Sequence, residues 1–259
     1  MDEKVAIKLL KEVKEILDEY NIEFWLDSGT LLGAIRDGKF IPWDGDIDLG
    51  VWYRDFDKIV NVAKYLHGRG FEIHFGLSHV GIIKRVDGKK CVISIDAYHR
   101  EGNQAVTSIS LIHPKEKFYF KREIRVDIIK RKVRLLIKYF IWLLSAPSYP
   151  GDGPKFIPNK IHLMLVKFSS LYSSFNRELL SRILKKTAII LGCKPVRIVV
   201  PMRYFRKLST INFYETPFKI PHPAEEYLRY RYGKGWRIPK KNYIYYMEDG
   251  AIEENRSLK

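Results

Sequence analysis

Hydrophobic and polar positions recur along this chain with two periods, and the switches between them mark the elements. Over residues 4–20, Val5, Leu9, Leu10, Val13, Ile16, Leu17 and Tyr20 fall at three- and four-residue steps with Lys and Glu between them, which predicts an amphipathic helix stopped by Asn21. A short buried strand is expected at 23–26. Asp27-Ser28-Gly29-Thr30 then has turn and N-cap chemistry and predicts a helix over 31–36. After Asp37-Gly38 and Pro42 a strand is expected over 46–51, with Ile47 and Leu49 turned away from Asp46 and Asp48. Phe56, Ile59, Val60, Ala63 and Leu66 give a second amphipathic helix, ended by Gly68 and Gly70. Three strands follow at 71–75, 79–86 and 91–98, the last two joined as a hairpin through Asp87-Gly88. On the third, Val92, Ser94 and Asp96 share one face and Cys91, Ile93 and Ile95 the other. An acid in a row otherwise apolar or small asks for a function.

Residues 105–112 are again strand-like. Beyond them, 121–138 is strongly basic, with Arg125, Lys130, Arg131, Lys132, Arg134 and Lys138 interleaved with Ile, Val and Leu, and it runs into the apolar 139–144. Such a segment is either a surface helix with one face on the core or an interfacial helix that meets anionic lipid through Trp142 and its leucines. Pro and Gly gather over 147–158 as in a linker, and helices are expected at 161–175 and 177–191, with Gly192 as the stop. From 196 the pattern is short and irregular, ending in a polar tail from 253. The predicted fold class is α/β of the α+β type. It is a mixed sheet carrying acids on one face and helices on the other, in three parts: a core at 1–120, a basic helical insertion at 121–195, and a segment at 196–259 that closes back on the core.

Composition adds the sign of the partner. The 259 residues are 46% hydrophobic, enough for a substantial core, and carry 46 Lys and Arg against 30 Asp and Glu, a formal charge of +16. Nucleotides, nucleic acid, anionic lipid and polyanionic glycans all fit that charge. The two cysteines, Cys91 and Cys193, have no metal-ligand spacing and form no disulfide framework. The amino-terminal residues lack secretory features, and the longest charge-free stretch, 139–151, holds two prolines and falls short of the roughly 20 residues a span needs. The expectation is a cytoplasmic protein, peripheral at the inner face of the membrane if 121–144 docks there.

The chemistry concentrates at Asp46, Asp48 and Asp96. Carboxylates two apart on a strand share a face, and hard oxygen ligands favour Mg²⁺ or Mn²⁺, which bridge to substrate phosphates. Ser28, Gly29 and Thr30 supply a helix start where a phosphate is expected to sit. Together they point to metal-dependent phosphoryl or nucleotidyl transfer, against the plainer reading of a structural acidic turn. His79, His99 and His113 show no partner spacing, and His99 draws interest only for lying three residues past Asp96.

SGTLLGAIRDGKFIPWDGDIDLGV, the ISIDAY that supplies Asp96, and FYETPFKIPHPAEEYLRYRYGKGW resemble the signature of the LicD and fukutin-related family of the nucleotidyltransferase-fold superfamily. The resemblance covers 24–98 well and 196–238 more loosely. It implies a transferase that moves a phospho-alcohol, such as phosphocholine or an alditol phosphate, from a CDP-activated donor to a hydroxyl of a cell-surface or lipid-linked glycan. On that resemblance Asp46 and Asp48 bind the metals, Asp96 completes the site or acts as general base, and Asp44 is a ligand or an outer partner. Arg36 pairs with donor phosphate or with Asp44; Lys39, Lys84 and Arg85 are weaker phosphate contacts; Tyr232, Gly233 and Trp236 close over the core. Two other readings stay open: a nucleotidyltransferase acting from an NTP, and a non-catalytic module for membranes or polyanions, with nucleic acid the least expected partner.

Overall fold

The structure, a computed structural model, describes residues 1–75, 78–86, 89–112, 136 and 194–253. The chain divides into two compact units. One comprises Met1–His74, Ser78–Ser108 and Arg197–Lys259; the other comprises Phe75–Leu77 and Ile109–Val196. Apart from residue 136, the helices expected at 121–138, 161–175 and 177–191 lie outside the described residues, as does the membrane-facing role expected for 121–144.

The first unit opens with α1 (Glu3–Glu19), capped by the Asp2 carboxylate, which accepts from the Val5 amide. Its apolar stripe, Ala6, Leu9, Leu10, Val13, Ile16 and Leu17, is buried, as the three- and four-residue spacing requires. β1 (Phe24–Leu26), α2 (Ser28–Arg36), β2 (Ile47–Trp52), α3 (Phe56–Gly68), β3 (Glu72–Phe75), β4 (His79–Val86), β5 (Lys89–Glu101) and β6 (Gln104–Ile112) follow. β7 (Lys194–Pro201), the hairpin β8 (Ser209–Phe213) and β9 (Thr216–Ile220), α4 (Ala224–Tyr232) and the short α5 (Tyr245–Glu248) complete the described elements.

The sheet is mixed, in the order β1-β2-β5-β4-β3, with β6 on β5 and β7 on β6. β2 and β5 run parallel, while β1 with β2, β4 with β5 and β5 with β6 run antiparallel. β5 is longer than its sequence pattern. It pairs with β4 from Lys89 onward and then uses His99–Glu101 to hold β6 across the Gly102-Asn103 turn, where Gly102 takes φ +58°.

Alternation sorts the two faces. Ile47, Leu49 and Val51 with Ile93, Ile95 and Ala97 are buried on one. α1 lies on this side, since its Glu12 accepts from Lys84, the register partner of Cys91. Asp48 and Gly50 with Ser94 and Asp96 occupy the other. This second face is not left bare: Trp25 lies across Gly50, whose missing Cβ makes the room, and packs at a tilt against Trp52, Tyr98 and Phe205 at centroid distances of 5.1–5.7 Å. Phe205 meets Tyr227 of α4 at 5.9 Å. Helices therefore stand on both sides of the sheet, α1 on one and α4 on the other, rather than on one face as the alternation alone had indicated.

Candidate active site

The site grows from the junction of β1, α2 and β2. α2 starts at Ser28, three residues before the spacing predicts, because the Asp27 carboxylate caps it by accepting from the Ser28 amide at 2.8 Å and the Asp27 carbonyl accepts from Leu31. Ser28 takes φ +43°, an unusual value for a side chain other than Gly or Asn. The Asp27 amide donates to the Asp48 carbonyl, which ties the helix start to β2.

Around this junction each acid is held by a donor. Asp48 Oδ2 accepts from the Gly29 amide at 2.9 Å, and its own amide donates to Thr30 Oγ1 at 2.8 Å. Asp46, one residue ahead of β2, accepts from Ser94 Oγ at 2.8 Å. Asp96 Oδ1 meets His79 Nδ1 at 2.8 Å. Gly29 leaves room for the acids: a methyl at its Cα would run into Asp44 Oδ2, forcing that carboxylate aside, and stand 3.2 Å from Asp48 Oδ2. At the expected phosphate cradle the Ser28 and Gly29 amides donate to the Asp27 and Asp48 carboxylates, and Thr30 Oγ1 accepts from the Asp48 amide.

The electrostatics follow from this crowding. Burial, then the Asp46 charge, pushes the Asp44 carboxyl up to about 6. Burial pushes Asp48 well above the usual range, helped by Asp46, Asp44, Asp96 and Asp27 in turn. His79 is raised: burial opposes its charge, but the bond to Asp96 and the charges of Asp96 and Asp46 outweigh that. Among the described residues no three His, Cys, Asp or Glu side chains are already gathered as an ion cage. The donor chemistry nonetheless fits a hard divalent cation, since Asp44, Asp46 and Asp48 offer only carboxylate oxygens and repel one another.

Other sequence candidates fall elsewhere. Arg36 forks onto its neighbour Asp37, at 2.9 and 2.7 Å, and not onto Asp44. Lys39 is exposed next to that pair. Lys84 is on the face away from the acids, where it donates to Glu12 at 2.7 Å and lies 4.5 Å from the Phe71 ring centre, so the structure does not bring it to the site. Arg85 pairs with Glu72.

Three participants escaped the sequence reading. Asp27, 1% exposed, accepts from Tyr98 Oη at 2.6 Å, from Tyr227 Oη, and from Arg231 Nη1 at 3.0 Å. Arg231, 3% exposed, also donates to Asp249 Oδ2 at 3.0 and 2.6 Å and to Ser28 Oγ at 2.8 Å. Burial disfavours its charge, yet Asp249, Tyr227 and Asp27 hold it firmly protonated. α4 is thereby bolted to the start of α2, and no spacing rule links residues 204 apart. His79 was legible: Val86 pairs with Lys89 across a two-residue turn, and counting back along that register puts His79 opposite Asp96.

Comparison with known proteins follows the same core. The family described as LicD/FKTN/FKRP, nucleotidyltransferase domain, matches residues 21–134 and so includes Asp27, Asp44, Asp46, Asp48 and Asp96 but not Asp249. An uncharacterized protein of Rickettsia typhi is 30% identical over 223 residues, 82% of this chain, and the chain spans 65% of that relative's length, just under two thirds. Human FKRP, a ribitol 5-phosphate transferase, is 48% identical over 40 residues, 15% of this chain and 8% of its own. LicD of Haemophilus influenzae, a lipopolysaccharide cholinephosphotransferase, is 38% identical over 58 residues, 22% of each chain.

Proposed function

We propose, from the match of residues 21–134 to the LicD/FKTN/FKRP family of nucleotidyltransferase domains, that the protein transfers a phospho-alcohol from a CDP-activated donor to a glycan hydroxyl. The observation that supports this most is the run Asp44, Asp46, Asp48 at the head of β2, three acids crowded enough to raise the carboxyls of Asp44 and Asp48. Such crowding is costly unless positive charge arrives, and a module for polyanions gains nothing from it. The two named relatives, one passing ribitol 5-phosphate and the other phosphocholine, give the class of group moved.

In this reading Asp46 and Asp48, with Asp44 beside them, hold Mg²⁺ or Mn²⁺. When bound, the cation would offset negative charge on the diphosphate and on the departing nucleotide. The chain's own residues do the rest. Gly29 and Thr30 fix Asp48 from its carboxylate and from its amide, so it keeps one orientation, and Ser94 does the same for Asp46. Asp96 stands apart from that run, across the β2–β5 pair and against an imidazole, which suits it to handle a proton. The acceptor oxygen bonds to the phosphorus bearing the alcohol, the phosphoanhydride bond breaks, and CMP leaves with the bonding electrons. The hydroxyl proton passes to the Asp96–His79 pair, which ends as imidazolium against carboxylate. Lys39, exposed near the end of α2, is available to donor phosphate.

The test is incubation with CDP-choline, CDP-ribitol and CDP-glycerol and an acceptor panel in Mg²⁺, with nucleoside triphosphates in parallel. CMP release from a CDP-alcohol supports the proposal. Pyrophosphate from a triphosphate with no CMP from any CDP-alcohol replaces it with nucleotidyl transfer.

A further inference from the structure

The carboxy-terminal return carries a surface that the chemistry above does not use. Residues 233–247, GKGWRIPKKNYIYYM, hold Lys234, Arg237, Lys240 and Lys241 and no acid. Arg237 pairs with Glu225 at 2.7 Å and Lys240 with Glu248, whereas Lys234 and Lys241 have no carboxylate in ion-pair reach among the described residues. Large apolar side chains stand in water on the same segment: Ile238 is 73% exposed and Met247 62%, with Ile244 and Tyr245 also exposed. Trp43, 42% exposed, joins them, because Lys241 Nζ lies 5.5 Å from its ring centre. Among the described residues eight large hydrophobic side chains are exposed, and five of them are on this segment or against it. Single exposed apolar residues need no explanation, but a cluster rimmed by unpaired lysines does.

The cluster sits on a fixed base. Trp236 is buried, and the Tyr243 ring packs 5.1 Å from that of Tyr232 on α4. It also borders the candidate site. Trp43 directly precedes Asp44, and the Asp48 charge is among those that raise the Tyr232 phenol.

We propose that this surface docks on an anionic lipid bilayer, with Lys234 and Lys241 at the phosphate headgroups, Trp43 and Tyr245 at headgroup depth, and Ile238 and Met247 among the first acyl carbons. The mix of residues favours lipid over nucleic acid. Aliphatic tips gain nothing against bases, and the Trp43 ring already faces Lys241. Amphipathic aromatics, snorkelling lysines and exposed aliphatics are what an interface selects. Docking requires no turnover, so it stands whether or not the catalytic reading does.

The full chain is sedimented with vesicles of phosphatidylcholine alone and of phosphatidylcholine mixed with phosphatidylglycerol. Binding is expected only to the mixed vesicles and is expected to fall at high salt. Lys234→Ser with Lys241→Ser should weaken it about tenfold or more, at about fivefold per lysine near an anionic surface. Ile238→Ser with Met247→Ser should weaken it by a similar factor, and all four sites are exposed, so thermal unfolding should stay unchanged. The proposal is overturned if the wild-type chain ignores mixed vesicles. It is overturned equally if both double variants bind as wild type does, which places the lipid contact elsewhere in the chain. A single-stranded RNA that binds more tightly than the vesicles, and is lost with the lysines but not with Ile238 and Met247, overturns it in favour of nucleic acid.

Discussion

Replacing Arg231 with Met tests whether the carboxy-terminal return is bolted to the site or merely rests on it. The guanidinium is buried and reaches Asp249 through two nitrogens, Asp27 at 3.0 Å and Ser28 at 2.8 Å. Met fills much of the same volume, so the cavity contribution is small and the main effect is two carboxylates left buried without their cation. Breaking a buried pair from one side costs about 3–5 kcal/mol, a large share of the roughly 5–15 kcal/mol that holds a typical protein folded. At about 2–4 °C per kcal/mol for a chain of this size, the melting temperature should fall by roughly 6–20 °C. Arg231→Lys keeps the charge but not the fork, and should lie between. Urea unfolding of Arg231→Met, Asp249→Asn and the double variant gives a cycle. If stranded charge is the cause, the double variant should lose less than the two singles together, by about 1–3 kcal/mol. A cost below about 1 kcal/mol for Arg231→Met, or strict additivity, would refute the reasoning.

Four further outcomes follow. Asp48→Asn should abolish transfer yet raise the melting temperature in chelator, because burial and four neighbouring acids penalise its ionised form; the rise on adding Mg²⁺ should shrink in the same variant. Asp44, raised from 3.8 to about 6, binds its proton more tightly folded than unfolded, so stability should fall on the order of 2 kcal/mol as pH rises from about 4 to 6 without divalent cation, and Asp44→Asn should flatten that slope. His79 is also raised, so its contribution is complete below about 6.5 and is lost as pH climbs through the folded value; His79→Gln should remove that loss in pH-dependent unfolding and cut kcat about a hundredfold with KM nearly unchanged. Gly29→Ala should fold, since Gly29 has no positive φ and Ala favours a helix, but the added methyl displaces Asp44 and should weaken Mg²⁺ stabilisation about tenfold or more.

What the sequence disclosed depended on whether a short-range rule reached the residue. Periodicity located α1, α3 and the β4–β5 hairpin, because each buries one face and its apolar residues must recur at the element's own period. Alternation put Asp48 and Asp96 on one face of adjacent strands, and the same parity, carried across the hairpin, both pairs His79 with Asp96 and removes Lys84 to the far side. Asp27 to Thr30 read as the turn and cap ahead of a helix that in fact begins at Ser28, and a motif does not say what its amides bind; here Asp27 and Asp48 take those of Ser28 and Gly29. Asp27, Arg231 and Asp249 were out of reach for a different reason. Each looks like an ordinary surface charge in its own neighbourhood, and only the return of α4 to the acid face makes them one buried chain. β7 to β9 were lost to brevity, with runs of five to eight residues interrupted by Pro and Arg.

The central claim is that the group transferred is the phospho-alcohol and that the nucleotide leaves. Mass analysis of a glycan acceptor after incubation with a CDP-alcohol and Mg²⁺ measures this directly. The account predicts an acceptor heavier by one phospho-alcohol, with equimolar CMP, and no product from the Asp46→Asn and Asp48→Asn variants. An acceptor carrying CMP instead, or the phospho-alcohol product still formed at the wild-type rate by either variant, contradicts it.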